Sequence, residues 1–224
     1  MLVDFSHVHR DGMIVGGDLR PPVFRQRQTG HAVAGVAILV TEFELASHVG
    51  THVDAPRHFD PAGPAIDELP LEAFCGPAVL SQVTNDPGEP ITRADIEQGG
   101  PAPEPGDIVI VKTGWGRHYA AATEELYRDY PHLDEQAAHW LVSTGVKLLA
   151  TDTMSPDLPA CRRPAGYTLP VHHILLGAGV LIAENLNLER AEPGRYEVFA
   201  FPLAIVSGDG APARIVGRRL SLTP

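Results

Sequence analysis

The chain is poor in positive charge. Lys and Arg number 17 against 28 Asp and Glu, a formal net charge of −11, and the densest basic stretch, residues 214–219, holds three arginines. A phosphate-backbone binder needs positive charge in quantity, so the expectation is no nucleic-acid partner and no anionic membrane partner. Long apolar runs are missing as well. No stretch approaches the ~20 apolar residues that cross a bilayer, and the opening Met1-Leu2-Val3-Asp4-Phe5-Ser6-His7 has neither a basic nor an apolar leader segment. A cytoplasmic location is expected. Cysteine is scarce: Cys75 and Cys161 lie 86 residues apart with no Cys-x-x-Cys pair, and thiols in such a setting are expected to stay reduced. A Gly-x-Ser-x-Gly elbow is absent, and Ser155 and Ser207 lack that context, which argues against a serine hydrolase.

What is present describes a globular enzyme-sized chain. With 224 residues, 44% hydrophobic and 20% charged, it reads as one domain over residues 1–224 around a sizeable core. Gly 22 and Pro 21 make about a fifth of the chain, so turns and short elements are expected, not a helix bundle. Strand-like runs fall at residues 2–6, at 31–45 (one or two strands), 78–83, 108–113, 147–151, 180–183, 196–200, 203–207 and 213–217. Gly76-Pro77 reads as a turn before the 78–83 strand, and residues 12–22 and 155–170 read as loops. Helices are expected after the cap Thr92, over 134–143 with Leu133, Ala137, Trp140 and Leu141 on one face, and over 172–176 before Gly177 or Gly179. An even alternation of strand and helix is not evident, so the fold class expected is mixed α/β, rich in strands.

Histidine is in excess, 11 in all, and unevenly spread. Residues 47–59 read Ser-His-Val-Gly-Thr-His-Val-Asp-Ala-Pro-Arg-His-Phe and place His48, His52, Asp54 and His58 within eleven positions. On an extended chain His48, His52 and Asp54 face one side. A straight strand would still hold His48 and His52 ~13 Å apart at ~3.3 Å per residue. Gly50 can supply a bend, while Gly50, Thr51, Val53 and Pro56 all oppose a helix. The segment therefore reads as strand, bend and strand end, with the three side chains converging. Imidazole nitrogens with a carboxylate oxygen suit zinc or manganese, and three protein ligands leave a position for water. The alternative is a polar cluster at a strand end with no ligand role. A second constellation is His172-His173 with Glu184. A glutamate closing the apolar run 180–183 is costly to bury without a partner, and a metal would be one; an exposed strand-end glutamate is the other reading. Asp152 follows a buried strand and either faces a site or shapes a turn.

These motifs resemble the signature of the metal-dependent cyclase superfamily, which includes bacterial kynurenine formamidases and isatin hydrolases. The similarity rests on residues 48–59, on Asp4-Phe5-Ser6-His7 with Gly12-Met13 and Gly17-Asp18, on 151–157, on 170–176 and on 182–186. The resemblance implies a swivelling β/β/α fold, usually a homodimer, acting on a small-molecule substrate. It implies a divalent metal, Zn2+ as in the formamidases or Mn2+ as in the isatin hydrolases, with one or two ions per chain. Carried over by position, His48, His52 and Asp54 hold one ion, and Asp54 bridges to a second held by His172 and Glu184. His172 is preferred to His173 because it stands twelve residues before Glu184. His58 matches the catalytic histidine. The implied activity is arylformamidase-like hydrolysis of a small amide, lactam, lactone or ester by metal-activated water. Kynurenine formamidase proper and a metal-stabilised binding module without catalysis are the alternatives. One departure concerns specificity. Where formamidases resemble Val-Trp-Pro-Gly-Asp, this chain has Ile14-Val15-Gly16-Gly17-Asp18, so Val15 replaces an aromatic ring that lines the substrate pocket.

Overall fold

Three apolar runs, Ile108-Val109-Ile110-Val111, Leu148-Leu149-Ala150 and Leu181-Ile182-Ala183, have no polar face, so strands made of them must be covered on both sides. The computed structural model, which describes residues 1–29, 38–120 and 124–220, shows this arrangement. In chain order the strands are β1 (Leu2–Asp4), β2 (Val23–Gln28), β3 (Leu39–Glu44), β4 (His52–Asp54), β5 (Cys75–Gln82), β6 (Pro90–Ile91), β7 (Ile108–Lys112), β8 (His132–Leu133), β9 (Leu148–Thr151), β10 (Leu181–Glu184), β11 (Gly194–Phe199), β12 (Gly210–Pro212) and β13 (Val216–Arg219). The helices are α1 (Arg93–Gly99), α2 (Gly116–Ala120), α3 (Glu124–Tyr127), α4 (Glu135–Thr144) and α5 (Pro170–Gly177).

Nine strands form one sheet in the order β1-β13-β11-β5-β7-β9-β10-β4-β12. Its centre, β5-β7-β9-β10, is parallel, and its flanks are antiparallel. Alternate side chains serve two cores. Ile108, Ile110, Leu148, Ala150, Leu181 and Ala183 pack with Phe5 and Tyr196 on one side. Val109, Val111, Leu149 and Ile182 meet Ile96 of α1, Ala137 and Leu141 of α4, and Val171 and Leu175 of α5 on the other. Each fully buried aliphatic side chain contributes ~1.5–3 kcal/mol, which holds such short strands in register. Among the described residues no helix is long and apolar enough to cross a membrane.

The strand-rich mixed α/β fold is as the sequence indicates, with local differences. The parallel block is a strand-helix alternation that the sequence hides, because α1 and α5 are only 7 and 8 residues long. Gly76-Pro77 is not a turn but lies inside β5: Pro77 faces Glu197 of β11, and β7 pairs with β5 only from Ala78 onward. Pro77 therefore sits where β5 has no second neighbour, and its missing N–H breaks no ladder. Residues 203–207 form no strand, since Leu203, Ile205 and Val206 are exposed, Leu203 N–H alone bonds to a strand, at the carbonyl of Pro212, and Ser207 N–H goes to the Asp67 side chain. Residues 213–217 break at Arg214-Ile215 between β12 and β13. The expected strand region 31–45 contains β3, while residues 31–37 lie outside the described residues. Its partner β2, Val-Phe-Arg-Gln-Arg-Gln, has too little apolar patterning to announce itself. The expected caps are present. Thr92 and Asp95 form a reciprocal capping box on α1, and Asp134 caps α4.

Candidate metal centre

The antiparallel register of β4 on β10 sets His52 directly opposite Glu184 and Val53 opposite Ala183. Directly opposed residues share a face, and Asp54, two positions on from His52, lies on that face too. His52 Nε2 is 3.4 Å from Glu184 Oε2 and 3.2 Å from Asp54 Oδ1. From above, α5 delivers His172, whose Nε2 lies 3.2 Å from Glu184 Oε1 and 3.8 Å from Asp54 Oδ2. His48 arrives from a turn and not from a strand. Gly50, with φ +67°, folds that turn back; a Cβ there would stand 2.8 Å from His9 Nε2 and 2.9 Å from Met13 Cε, so only glycine fits.

Two of the imidazoles are set for metal binding by their far nitrogens. His52 Nδ1 lies 2.7 Å from the carbonyl of Gly50; a carbonyl only accepts, so Nδ1 carries the proton and Nε2 offers a lone pair. His172 Nδ1 lies 2.6 Å from Asp157 Oδ2, and Asp157, fully buried, also accepts from the backbone N–H groups of Val171 and His172 and from Tyr167. Such outer partners fix the tautomer and raise ligand basicity. The ring of Phe59 stacks on His172 at 4.7 Å between centroids. Three atoms aimed into the cluster, His52 Nε2, Asp54 Oδ2 and Glu184 Oε1, are buried without any hydrogen-bond partner. Buried polar atoms are rarely left so, and a divalent cation satisfies all three. The donor set fits the group that the sequence resemblance implies.

His48 is held differently. Its Nδ1 is 2.7 Å from Asp54 Oδ1 and its Nε2 is 2.9 Å from Asp209 Oδ2, so neither nitrogen is open. His48, His52 and Asp54 nonetheless lie within ligand distance of one another, and His48 would hold such a cation only by giving up one of its carboxylate contacts.

The electrostatics describe a cluster waiting for positive charge. Burial opposes protonation of His52, but the Asp54 and Glu184 carboxylates outweigh it and raise it to about 10. His172 is raised to about 10, with Asp157, Glu184 and Asp54 overcoming burial. His48 reaches about 9, burial being outweighed by Asp54 and Asp209. Asp54, against its own burial, is held well below the carboxylate range by His48 and His52. Without metal the imidazolium protons neutralise the carboxylates, and a cation that displaces them releases protons.

The remaining expected residues divide. His58, at the end of a 3-10 turn that starts at Pro56, stacks on His48 at 3.9 Å. Its side chain is 28% exposed, with Nδ1 3.4 Å from Asp209 Oδ2. Burial, aided by His48 and His172 and opposed by Asp54, pushes its pKa below the usual 6.5. His173 turns away and is exposed against the edge of Phe59. Asp152 does not line the site. It is buried beneath the loop after β7, where it accepts from Thr113 and Gly114, so it anchors that distant loop and not a turn of its own. Val15 packs with the cluster of Met13, Trp115 and Tyr119, while its successors Gly16, Gly17, Asp18 and Leu19 form one wall of the cleft over the metal cluster.

Asp157 and Asp209 were not singled out from sequence. Asp157 acts on a histidine 15 positions away, beyond any local spacing rule. Asp209 approaches His48 across 161 positions. Its one local sign is the pair of flanking glycines: a Cβ on Gly210 would stand 2.8 Å from the Val53 carbonyl.

Comparison with known proteins agrees with this geometry. A kynurenine formamidase from Bordetella avium is 33% identical over 215 residues, covering 91% of this chain and 97% of that protein. One from Salinibacter ruber is 39% identical over 176 residues, covering 78% and 77%. Among solved structures, isatin hydrolase A from Labrenzia aggregata, bound to benzyl benzoate, superposes with a TM-score of 0.80 at 24% identity over 97% of this chain and 93% of that one. A structure described as a potential metal-dependent hydrolase with cyclase activity gives 0.76 at 27% identity, covering 99% and 98%. The Cyclase family model matches residues 3–158, a span that holds His48, His52, Asp54 and His58 and stops short of α5 and β10. With more than half of the chain inside that match, and the full-length relatives carrying it through His172 and Glu184, this protein belongs to the Cyclase family.

Proposed function

We propose that this protein is a metal-dependent hydrolase of the arylformamidase type, cleaving the C–N bond of a small amide. The observation that carries the reading is the convergence of three buried, unpartnered donor atoms, on His52, Asp54 and Glu184, at the floor of an open cleft. His52, Asp54, His172 and Glu184 would hold the metal, with His48 completing the set. Asp54 presents Oδ1 toward His48 and His52 and Oδ2 toward His172, which supports a bridging role between two ions. Zinc and manganese both suit this mixed nitrogen and oxygen set. When bound, the metal supplies Lewis acidity, lowering the pKa of water from 15.7 toward ~7 and polarising the carbonyl.

The chain's own residues do the rest. Asp157 and the Gly50 carbonyl lock His172 and His52 in one tautomer. Phe59 covers one side of His172 and keeps bulk water from it. His58 faces the cleft, and its lowered pKa leaves it neutral at pH 7, able to take a proton from the nucleophile and return it to the leaving nitrogen. Lactams, lactones and esters present the same carbonyl and belong to the substrate range of this reading.

The relatives are named for kynurenine, yet Val15 stands where a ring is expected. We therefore expect another substrate to be preferred. In a panel of aryl formamides, lactams and lactones assayed with zinc or manganese, at least one should exceed N-formylkynurenine in kcat/KM. N-formylkynurenine as the best of the panel refutes that specificity, and no turnover across the panel refutes the hydrolase.

The strands β1 and β13, from opposite ends of the chain, pair in the same sheet as β7 and β9, which supports residues 1–224 as one domain. Both cysteines are free thiols, in keeping with a cytoplasmic protein. A homodimer is the expected assembly. The β2–β3 hairpin stands apart from the main sheet, Leu39 and Phe43 on it are exposed, and Phe43 lines a groove together with Leu203. An isolated two-stranded hairpin is marginal in water, so a second copy covering it is favoured. Light scattering should give twice the 24.0 kDa chain mass, and Phe43→Glu should return the chain to monomer.

A further inference from the structure

The cleft over the metal cluster continues into a second cavity. Gly16, Gly17, Ser155 and Arg163 line both, the first about 320 Å³ and the second about 200 Å³. Arg163 is the one charged residue common to the two walls. It comes from the loop between β9 and α5.

The guanidinium of Arg163 is held in place by its near side only. Nε donates to the carbonyl of Leu158 at 2.7 Å, and the group lies over the ring of Tyr167 at 5.7 Å. Tyr167 in turn donates to Asp157 Oδ1 at 2.8 Å, the same carboxylate that orients His172. Arg163 is thus tied through two residues to the proposed metal site. Its Nη nitrogens have no hydrogen-bond partner, and no carboxylate pairs with it, among the described residues. Its neighbours differ. Arg162 is paired with Asp129, and Arg128, on the wall of the second cavity, is paired with Glu124 and bonded to the Val15 carbonyl. In a chain of net charge −11, a half-buried arginine without a counter-ion is an exception. Two carboxylates face the cleft, Glu184, which belongs to the metal cluster, and Asp18, exposed at the rim, together with the imidazoles of His48, His58 and His172.

We propose that Arg163 is a specificity residue that binds a carboxylate of the substrate, so that the protein acts on small acids carrying their hydrolysable acyl group at a distance from that carboxylate. The arginine fork matches a planar carboxylate in two parallel hydrogen bonds. Pinned by Leu158 and Tyr167, it loses little side-chain freedom on binding. The substrate acyl group then lies over His58 and the metal cluster, and the acid end points into the second cavity. Part of this rests on the hydrolase reading, so binding and turnover are tested separately.

Calorimetry on the zinc-loaded protein with benzoate and its neutral counterpart benzamide decides the binding. Wild type should favour benzoate by at least about tenfold, the worth of one charge-assisted pair. Arg163→Ala should bring the two within about twofold, and Arg163→Lys should keep part of the preference. A preference that survives Arg163→Ala shows the carboxylate held at the metal and overturns the proposal, as does failure of benzoate to bind wild type. For turnover, 4-formamidobenzoate, whose carboxylate lies across the ring from the formamide, is compared with its methyl ester. Arg163→Ala should raise KM for the acid about 10- to 100-fold with kcat little changed, and leave the ester as it was. An equal loss on both reports a loosened loop and overturns the proposal. If wild type hydrolyses neither compound, the hydrolase reading fails, while calorimetry still decides Arg163.

Discussion

Asp54→Ala should leave the protein without tightly held metal and without turnover. Asp54 is fully buried and, among the described residues, is the one side chain within ion-pair distance of His48, His52 and His172 together. Removing it deletes a donor atom and the charge that makes the neighbouring imidazoles good partners. Changing even an outer contact to a metal ligand costs 10- to 100-fold in affinity, so the loss of a central carboxylate should exceed about a hundredfold. It also leaves His48 and His52 buried with less compensation. Breaking a buried ion pair by removing one partner typically costs ~3–5 kcal/mol, so the alanine variant should melt at lower temperature. Asp54→Asn separates the two effects, since the amide keeps the shape and loses the charge. Elemental analysis after desalting is the measurement. A folded Asp54→Asn protein that retains stoichiometric metal, or either variant with normal turnover, would show that the cluster is not the metal site.

The sequence disclosed the chemistry better than the architecture around it. His48, His52, Asp54 and His58 are near neighbours in the chain, and a bend at Gly50 was deducible because no other residue pattern there allows convergence. His172-His173 and Glu184 stand out by composition, and the resemblance selects His172 of the pair; the physical reason they meet the first group is the pairing of His52 with Glu184, a long-range register that no local pattern encodes. Asp209 and Asp157 escaped for the same reason, each reaching its histidine from a distant loop. In the fold, runs that are apolar on both faces were readable as strands. Residues 203–207 share that composition yet touch β12 through a single backbone bond, Leu203 to Pro212, and Gly76-Pro77 carries a turn's composition inside β5. Composition states what a segment tolerates, and pairing decides what it becomes.

His58→Asn should keep the fold and the metal yet lower kcat by ~10²–10⁴, the usual worth of a general acid-base group. The prediction separates three roles that the geometry brings close together. His58 lies within ligand distance of Asp54 with His172, and of His48 with Asp209, so a ligand role would show as metal lost from the variant. A purely structural role would show as a lower melting temperature with near-normal kcat. Proton transfer predicts neither. Its ring is more exposed than that of His48, 28% against 13%, so that a reacting group can be reached, and Asp209 stands beside Nδ1. The pH profile supplies a further test. A base must be unprotonated to act, and burial together with the neighbouring imidazoles holds the His58 pKa below 6.5; a bound cation acts in the same direction. Wild-type kcat/KM should therefore fall as pH drops through that lowered pKa. In His58→Asn that acidic limb should disappear from whatever activity remains. An unchanged limb in the variant would assign the titration to another group and remove His58 from the proton path.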